Sequence, residues 1–358
     1  MFIIFKLFEN IKSFKVDEFS NEILQRIDNN LLINGQINVL NIQDELTLKN
    51  KKLYYNKGWS LEIFNLETNQ INHISDKTIQ NVNYKLSDYL VLVTKNKEIF
   101  LYDIKKENQI LLNQIIFNWG KIFISKLNFF LYQHKIIESY KIPTSEKLWQ
   151  IELSLLGKFQ TEFDGEKDYE VRQFVGIYND ILWMFLNSSE FIGLESHSGK
   201  IVHWLKGVKK ENVTGKIDEY LNETETYIFF DINYLLDYNL GKIIGLKADR
   251  YYEIDLKANV VEPTMLGLYT KMENLGIDKN DTCNNIVLKE NHLYFYNIHK
   301  LKFAIFDIDT KQIIYVSEKL TNDQTKRREI KDLQVANNKV YVLDSTGDLH
   351  IFEKEKLS

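Results

Sequence analysis

The sequence predicts an all-β protein of the β-propeller class, one domain over residues 1–358. Three observations predict it. Short strands with period-2 alternation or apolar runs recur along the whole chain, without a convincing long helical period. One turn pattern recurs at a spacing near that of known propeller repeats. The chain has 358 residues, more than a single core usually fills, and repeated units escape that limit.

The repeating unit is a strand ending in an apolar or aromatic residue followed by Asp, Asn or Glu. A short polar turn follows, then a strand carrying a bulky residue. The clearest copies are Phe64-Asn65-Leu66-Glu67-Thr68-Asn69, Tyr102-Asp103-Ile104, and Phe306-Asp307-Ile308-Asp309-Thr310-Lys311 with Tyr315 beyond it. Weaker copies run from Tyr140-Lys141 through Ser145 to Trp149, and from Leu194-Glu195 through Ser198-Gly199 to Trp204. Ile254-Asp255-Leu256 and Phe352-Glu353 complete the series. The anchors are therefore Asn65, Asp103, Lys141, Glu195, Asp255, Asp307 and Glu353. Seven anchors give about 51 residues per unit, enough for a four-stranded blade.

A second strand precedes each anchor, as at Lys52–Asn56, Leu90–Thr94, Phe129–Gln133, Ile181–Leu186, Leu293–Asn297 and Lys339–Leu343. Asn179-Asp180, Asn337-Asn338 and Thr346-Gly347-Asp348 supply residues that tolerate positive φ in tight turns. Lys209–Leu221 is the one stretch read as a short helix. One blade cannot bury both faces alone. Stacked blades can, and 22 Phe, 20 Tyr and 5 Trp supply the filling. The last anchor lacks a following strand. The expectation is that a strand at Glu22–Ile27 completes that blade and pairs the two ends of the chain. The count expected is seven blades. A partial copy at Val16-Asp17-Glu18-Phe19-Ser20-Asn21 makes it eight if it forms a blade of its own.

The turn pattern resembles the repeat of PQQ-like (quinoprotein-like) propellers, and more broadly WD40-like repeat proteins. The PQQ-like repeat is Asp, two residues, Thr-Gly, three residues, Trp. Asp307, Thr310 and Tyr315 keep its spacing, with Lys311 in the glycine position. Thr144, Ser145 and Trp149 keep it with Lys141 in the aspartate position. Asn65, Thr68, Asn69 and His73 keep it more loosely, and Ser198-Gly199-Lys200 keeps the turn with Trp204 one residue late. The resemblance implies fold and says little of function. The quinone enzymes of that family often carry a vicinal cysteine pair and a calcium site, and its assembly lipoproteins a lipidated cysteine near the N-terminus. This chain has the single Cys283, so neither activity is expected, and no cofactor is expected.

Composition narrows the function classes. The formal net charge of −5 disfavours a general nucleic-acid binder. Lys6 and Lys12 interrupt the N-terminal apolar run, and no stretch of about 20 apolar residues occurs, so a cytoplasmic protein without a membrane segment is expected. Joint richness in Asn, Ile and Lys hints at an AT-rich bacterial genome.

No residue pattern points to catalysis. His73, His134, His197, His203, His292, His299 and His350 are scattered, without metal-ligand spacing. Asp307-Ile308-Asp309 and Asp231-Ile232-Asn233 lack the glycine and terminal Glu of a calcium loop and read as Asx turns. Cys283 has no identifiable local base. Neither a phosphate loop nor a nucleophile elbow occurs.

The insertions carry more information. The anchor spacings 141–195, 195–255 and 255–307 exceed those before them. The first holds Glu162, Asp164, Glu166, Asp168 and Glu170 against Lys167; the second runs through Glu211–Glu225 with Asp218, Glu219, Tyr220 and Glu223. Lys326-Arg327-Arg328 lies in the final spacing, 307–353. Such loops emerge on propeller faces, where partners bind. The expected partner-binding residues are Asp164, Glu166, Asp168, Glu170, Asp218, Glu219, Tyr220 and Glu223. The expected function is a monomeric, non-enzymatic protein-binding propeller. Its sharpest form is a bacterial immunity protein whose acidic face covers a basic toxin domain. The alternative is a lyase or hydrolase with a carboxylate or metal site in the central channel.

Overall fold

The computed structural model describes nearly all of 51–354, apart from 81–88, 218–225, 322–326 and scattered positions of one or two residues. N-terminal to this it describes residue 11 and the strands at 2–8, 13–16, 23–27, 30–33, 36–38 and 44–49, most of them as backbone only. Its strands form a β-propeller. Seven sheets are each built from one stretch of chain, at 13–38, 44–75, 78–116, 121–152, 171–205, 235–268 and 287–316; these are blades 1 to 7. One further sheet, blade 8, joins the last three strands, at 330–354, to the strand Phe2–Phe8. The strands at 13–38, on either side of the partial copy that begins at Val16, form a sheet of their own.

Within each of these stretches the strands run up and down in the order of the chain from inner to outer; blade 6 gains Val213–Lys216 beside Pro263–Leu268, and blade 8 takes Phe2–Phe8 beside Leu349–Lys354. The anchors mark one place in this scheme. Ser60–Asn65, Glu98–Asp103, Ile136–Lys141, Phe191–Glu195, Arg250–Asp255 and Lys302–Asp307 are all third strands, each ending on its anchor. In blades 2, 3, 6 and 7 the reason is an Asx turn. Asn65 Oδ1 accepts from Glu67 N and Thr68 N, Asp103 Oδ1 from Lys105 N and Lys106 N, and Asp307 Oδ1 from Thr310 N. The glycine position of the repeat needs positive φ. Gly199 adopts 75°, and Ser145, Lys311 and Glu107 adopt 60°, 58° and 54° without being glycine.

The period of 2 explains how one strand feeds two cores. In blade 3, Leu90 and Leu92 pack with Tyr54 and Leu61 of blade 2, while Val91 and Val93 pack with Phe129 and Leu131 of blade 4. In blade 5, Leu182, Met184 and Leu186 face blade 4, and Trp183 and Phe185 face blade 6. The middle strand Ile181–Leu186, ILWMFL, is therefore apolar throughout. Outer strands such as Lys147–Glu152 are largely exposed. Trp149 of blade 4 lies on the turn of blade 5, donating from Nε1 to Ser196 O at 2.9 Å.

Inner strands touch between blades 4 and 5, 5 and 6, and 7 and 8, and Ser13–Val16 of blade 1 touches both Asp44–Lys49 of blade 2 and Ile330–Ala336 of blade 8. Phe14 packs with Tyr341 at 6.3 Å between ring centroids, and Gln334 Nε2 donates to Phe14 O at 3.0 Å.

Two expectations are corrected. The strand beside Leu349–Lys354 is Phe2–Phe8, antiparallel, with Ile4 opposite Phe352 and Phe8 opposite Leu349. Ile23–Ile27 instead pairs inside blade 1, with Ser13–Val16 and Asn30–Ile33. The segment read as a helix at Lys209–Leu221 holds a 3-10 turn at Lys210–Asn212 and a strand at Val213–Lys216, and its remainder from 218 lies outside the described residues. That strand runs parallel to Pro263–Leu268 and covers the outer edge of blade 6, where backbone pairing outweighs local helix propensity. The described α-helix is Tyr269–Asn274.

Candidate partner-binding face

In an up-and-down blade the link from the outer strand to the next inner strand leaves on the same side as the turn between strands two and three. The long links all belong to this class. They join blades 4 and 5 (153–170), 5 and 6 (206–234), 6 and 7 (269–286), and 7 and 8 (317–329). Four consecutive links therefore build up one side of the same face.

These links are pinned to the turns beneath them. Asp281, 8% exposed, accepts from His299 N at 2.9 Å and from Lys300 N at 2.8 Å in the turn of blade 7. Thr282 Oγ1 accepts from Ala248 N of blade 6 at 2.8 Å, so the 269–286 link is tied to both blades it joins. The 153–170 link does the same. Asn187 of blade 5 accepts from Glu170 N at 2.8 Å and donates to Asp168 O at 3.1 Å, while Lys135 of blade 4 pairs with Asp168. Asn233 donates to Asn285 at 2.6 Å, tying two links to each other.

The 317–329 link carries a buried pair. Arg328 Nη1 reaches Asp344 Oδ2 at 2.8 Å and also pairs with Asp348. Asp344 Oδ1 accepts from Thr346 N, Thr346 Oγ1 and Asp348 N, and His350 Nε2 lies 3.4 Å from Oδ2. Burial raises the Asp344 pKa, but donation from His350, Thr346, Arg328 and Asp348 N outweighs it and holds the carboxyl far below its usual range. Asp344, Asp348 and His350 are also a group with metal-ligand potential, their ligand atoms within 4.8 Å of one another. The Arg328 guanidinium already supplies the positive charge there, so a metal would have to displace it.

Of the residues expected to bind a partner, Asp164, Glu166, Asp168 and Glu170 lie on this face. Gly165–Asp168 pairs with Lys158–Thr161 as a small hairpin. Asp164 pairs with Lys167, Glu166 lies 3.9 Å from Lys158, and Asp168 pairs with Lys135. Three of these carboxylates thus have a lysine beside them, two of which, Lys135 and Lys158, sequence spacing did not single out. Asp218, Glu219, Tyr220 and Glu223 lie outside the described residues, as does Cys283. The face also exposes apolar side chains that sequence reading missed: Leu155, Ile228 and Leu275, one from each of three links.

The described histidines are spread over the blades. His203 stacks on Trp183 with centroids 5.1 Å apart, and burial lowers its pKa. His292 lies 3.6 Å from Asp307, His197 3.6 Å from Glu195, and His299 3.5 Å from Glu329.

No protein-family model matches the chain, and no curated protein matches it. Solved structures do. The computationally designed protein Ika8 is 11% identical with a TM-score of 0.56, over 97% of this chain and 96% of that one. BamB from Moraxella catarrhalis, a PQQ-like propeller, is 11% identical with a TM-score of 0.56, over 99% of this chain and 100% of that one. Sqt1 from Saccharomyces cerevisiae, a WD40 protein, is 11% identical with a TM-score of 0.58, over 99% and 98%. At this identity the likeness shows the fold.

Proposed function

We propose that this chain is a non-enzymatic protein-binding propeller whose partner docks on the face built up by the four long links. One observation carries the reading. The described parts of the links at 153–170, 206–234, 269–286 and 317–329 gather on one side, and Asp281 and Arg328 anchor two of them before any partner arrives. Loops ordered in advance lose less entropy on binding, which favours a recognition surface. The partner carries a basic patch, met by Glu170 and by the acidic segment Glu211–Glu225, which has five carboxylates and one lysine. The narrower form is a cytoplasmic bacterial immunity protein that covers the active site of a cognate toxin. It rests on the acidity and elaboration of this face.

The test is a tagged capture from the source organism with mass spectrometry, repeated with charge reversals on each face. Partner loss on reversing Glu166 and Glu170, with no loss on reversing Glu67 and Asp309 on the opposite side, supports the reading. Protection of cells that express the captured toxin supports the immunity form. An empty capture with a metal or metabolite retained by the purified protein moves the assignment to a propeller enzyme.

A further inference from the structure

The opposite face carries a different site. A cavity of about 360 Å³ opens between blades 7 and 8, beside the turns at Glu290 and Asn337. That volume lies within the range of small-molecule pockets.

Strand register sorts its walls by chemistry. Across blade 7, Tyr294 lies opposite Val287 and Ile305, and Ile305 opposite Tyr315. This row gives an aromatic and aliphatic wall. Blade 8 answers with Val335 and Val340, which are opposite each other. One register step closer to the turns, Lys289 lies opposite His292. Lys339 and Lys354 complete the rim from blade 8. Among the described residues lining the cavity, the carboxylate is that of Glu290. Asp307, close to His292, directs its carboxylate to Thr310 N and Oγ1. The rim is thus basic on a chain whose net charge is −5, while the depth is apolar with two phenol rings. Burial and the neighbouring Glu290 both raise the Tyr294 pKa, so that ring adds no negative charge near neutral pH.

We propose that this cleft binds a small anion with a flat apolar body, for which an aromatic carboxylate is the simplest example. The anionic group meets Lys289, Lys339 and Lys354 at the rim. The ring packs against Tyr294, Tyr315 and the exposed Ile314. The site is separate from the partner-binding face, so either assignment stands or falls without the other.

The experiment is isothermal titration of the full chain with 1-naphthoate at low salt. Saturable binding of one molecule per chain is expected. The neutral 1-naphthamide should bind at least tenfold more weakly, because it keeps the ring and loses the charge. Lys339→Glu and, separately, Lys354→Glu should each weaken naphthoate at least tenfold. Leu155→Glu on the opposite face should leave it unchanged. Circular dichroism checks that the variants are folded, and the outward-facing Lys354 guards against a folding defect at Lys339. Absence of saturable binding overturns the proposal. So does equal affinity for the amide, or unchanged affinity in both folded lysine variants.

Discussion

Replacing Arg328 with Met tests how the 317–329 link is held. The guanidinium is 9% exposed and Asp344 is fully buried, so the change leaves a buried carboxylate without its cation. Breaking such a pair costs roughly 3–5 kcal/mol. The low end applies here, because His350 and Thr346 still donate to Asp344 and Asp348 remains 19% exposed. With an unfolding entropy of about 2.1 cal/mol/K per residue, about 3 kcal/mol lowers the thermal midpoint by about 4 °C. The loss should depend on pH in one direction. A carboxyl whose folded pKa is depressed stabilises the fold above its unfolded pKa near 4. That contribution disappears as pH falls toward the folded value. The variant should therefore fall furthest below the parent at pH 7, and the gap should narrow as pH drops from about 5 to 3. Urea unfolding followed by circular dichroism at pH 7 and pH 4 measures both. A loss under about 1 kcal/mol at pH 7, or one equally large in acid, refutes the reasoning.

Gly199→Val should cost about 2–4 kcal/mol, since φ is 75° and a Cβ would lie 2.7 Å from the Trp149 ring; thermal unfolding reads it. Glu253→Gln should cost about 1–2 kcal/mol at pH 7. Burial raises the Glu253 pKa, but donation from Lys242, Lys311 and Tyr251 outweighs it and leaves it lowered. Its contribution is thus present above about pH 4.3 and lost in acid, so parent and variant should converge near pH 3 in the same titration. Asp281→Ala removes the acceptor of His299 N and Lys300 N and should cost about 1–2 kcal/mol. Amide exchange should accelerate at 298–300 before it does in the strands of blade 7. Deleting residues 2–8 exposes the Leu349–Lys354 edge and should yield oligomers on size exclusion.

The repeat was legible because its turn chemistry is local. An Asx turn needs Asn or Asp at its first position, so the third strand announces its own end in blades 2, 3, 6 and 7. Blade 1 escaped for the same reason. Its third and fourth strands, Asn30–Ile33 and Gln36–Asn38, are joined by two residues, too few for that turn. The partner of Leu349–Lys354 was misread because pairing between chain ends rests on register over some 340 residues, which no local pattern encodes. The acidic hairpin was found by composition. Its neutralising lysines at 135 and 158 were not, because they become neighbours only once blade 4 and its outgoing link have folded.

The same geometry explains why the long links share a face. The three turns within a blade join strands about 4.8 Å apart, and hairpin geometry keeps them short. The link to the next blade must cross the width of a sheet, about 14 Å over three strand spacings. It is the connection least tied to a hairpin, and lengthening it costs only the slow logarithmic growth of loop entropy. Insertions therefore accumulate there without disturbing the inter-blade cores around Leu182, Trp183 and their neighbours. What a blade geometry permits, however, it does not require to be ordered. That ordering comes from specific side chains: Asp281 and Thr282 in one link, Arg328 in the next, Asp168 through Lys135 and Asn187 in a third. A link free to drift would gain nothing from a buried Arg–Asp pair. Its presence in the 317–329 link ties the shape of that face to the stability of blade 8, so the Arg328→Met variant should lose partner binding together with stability.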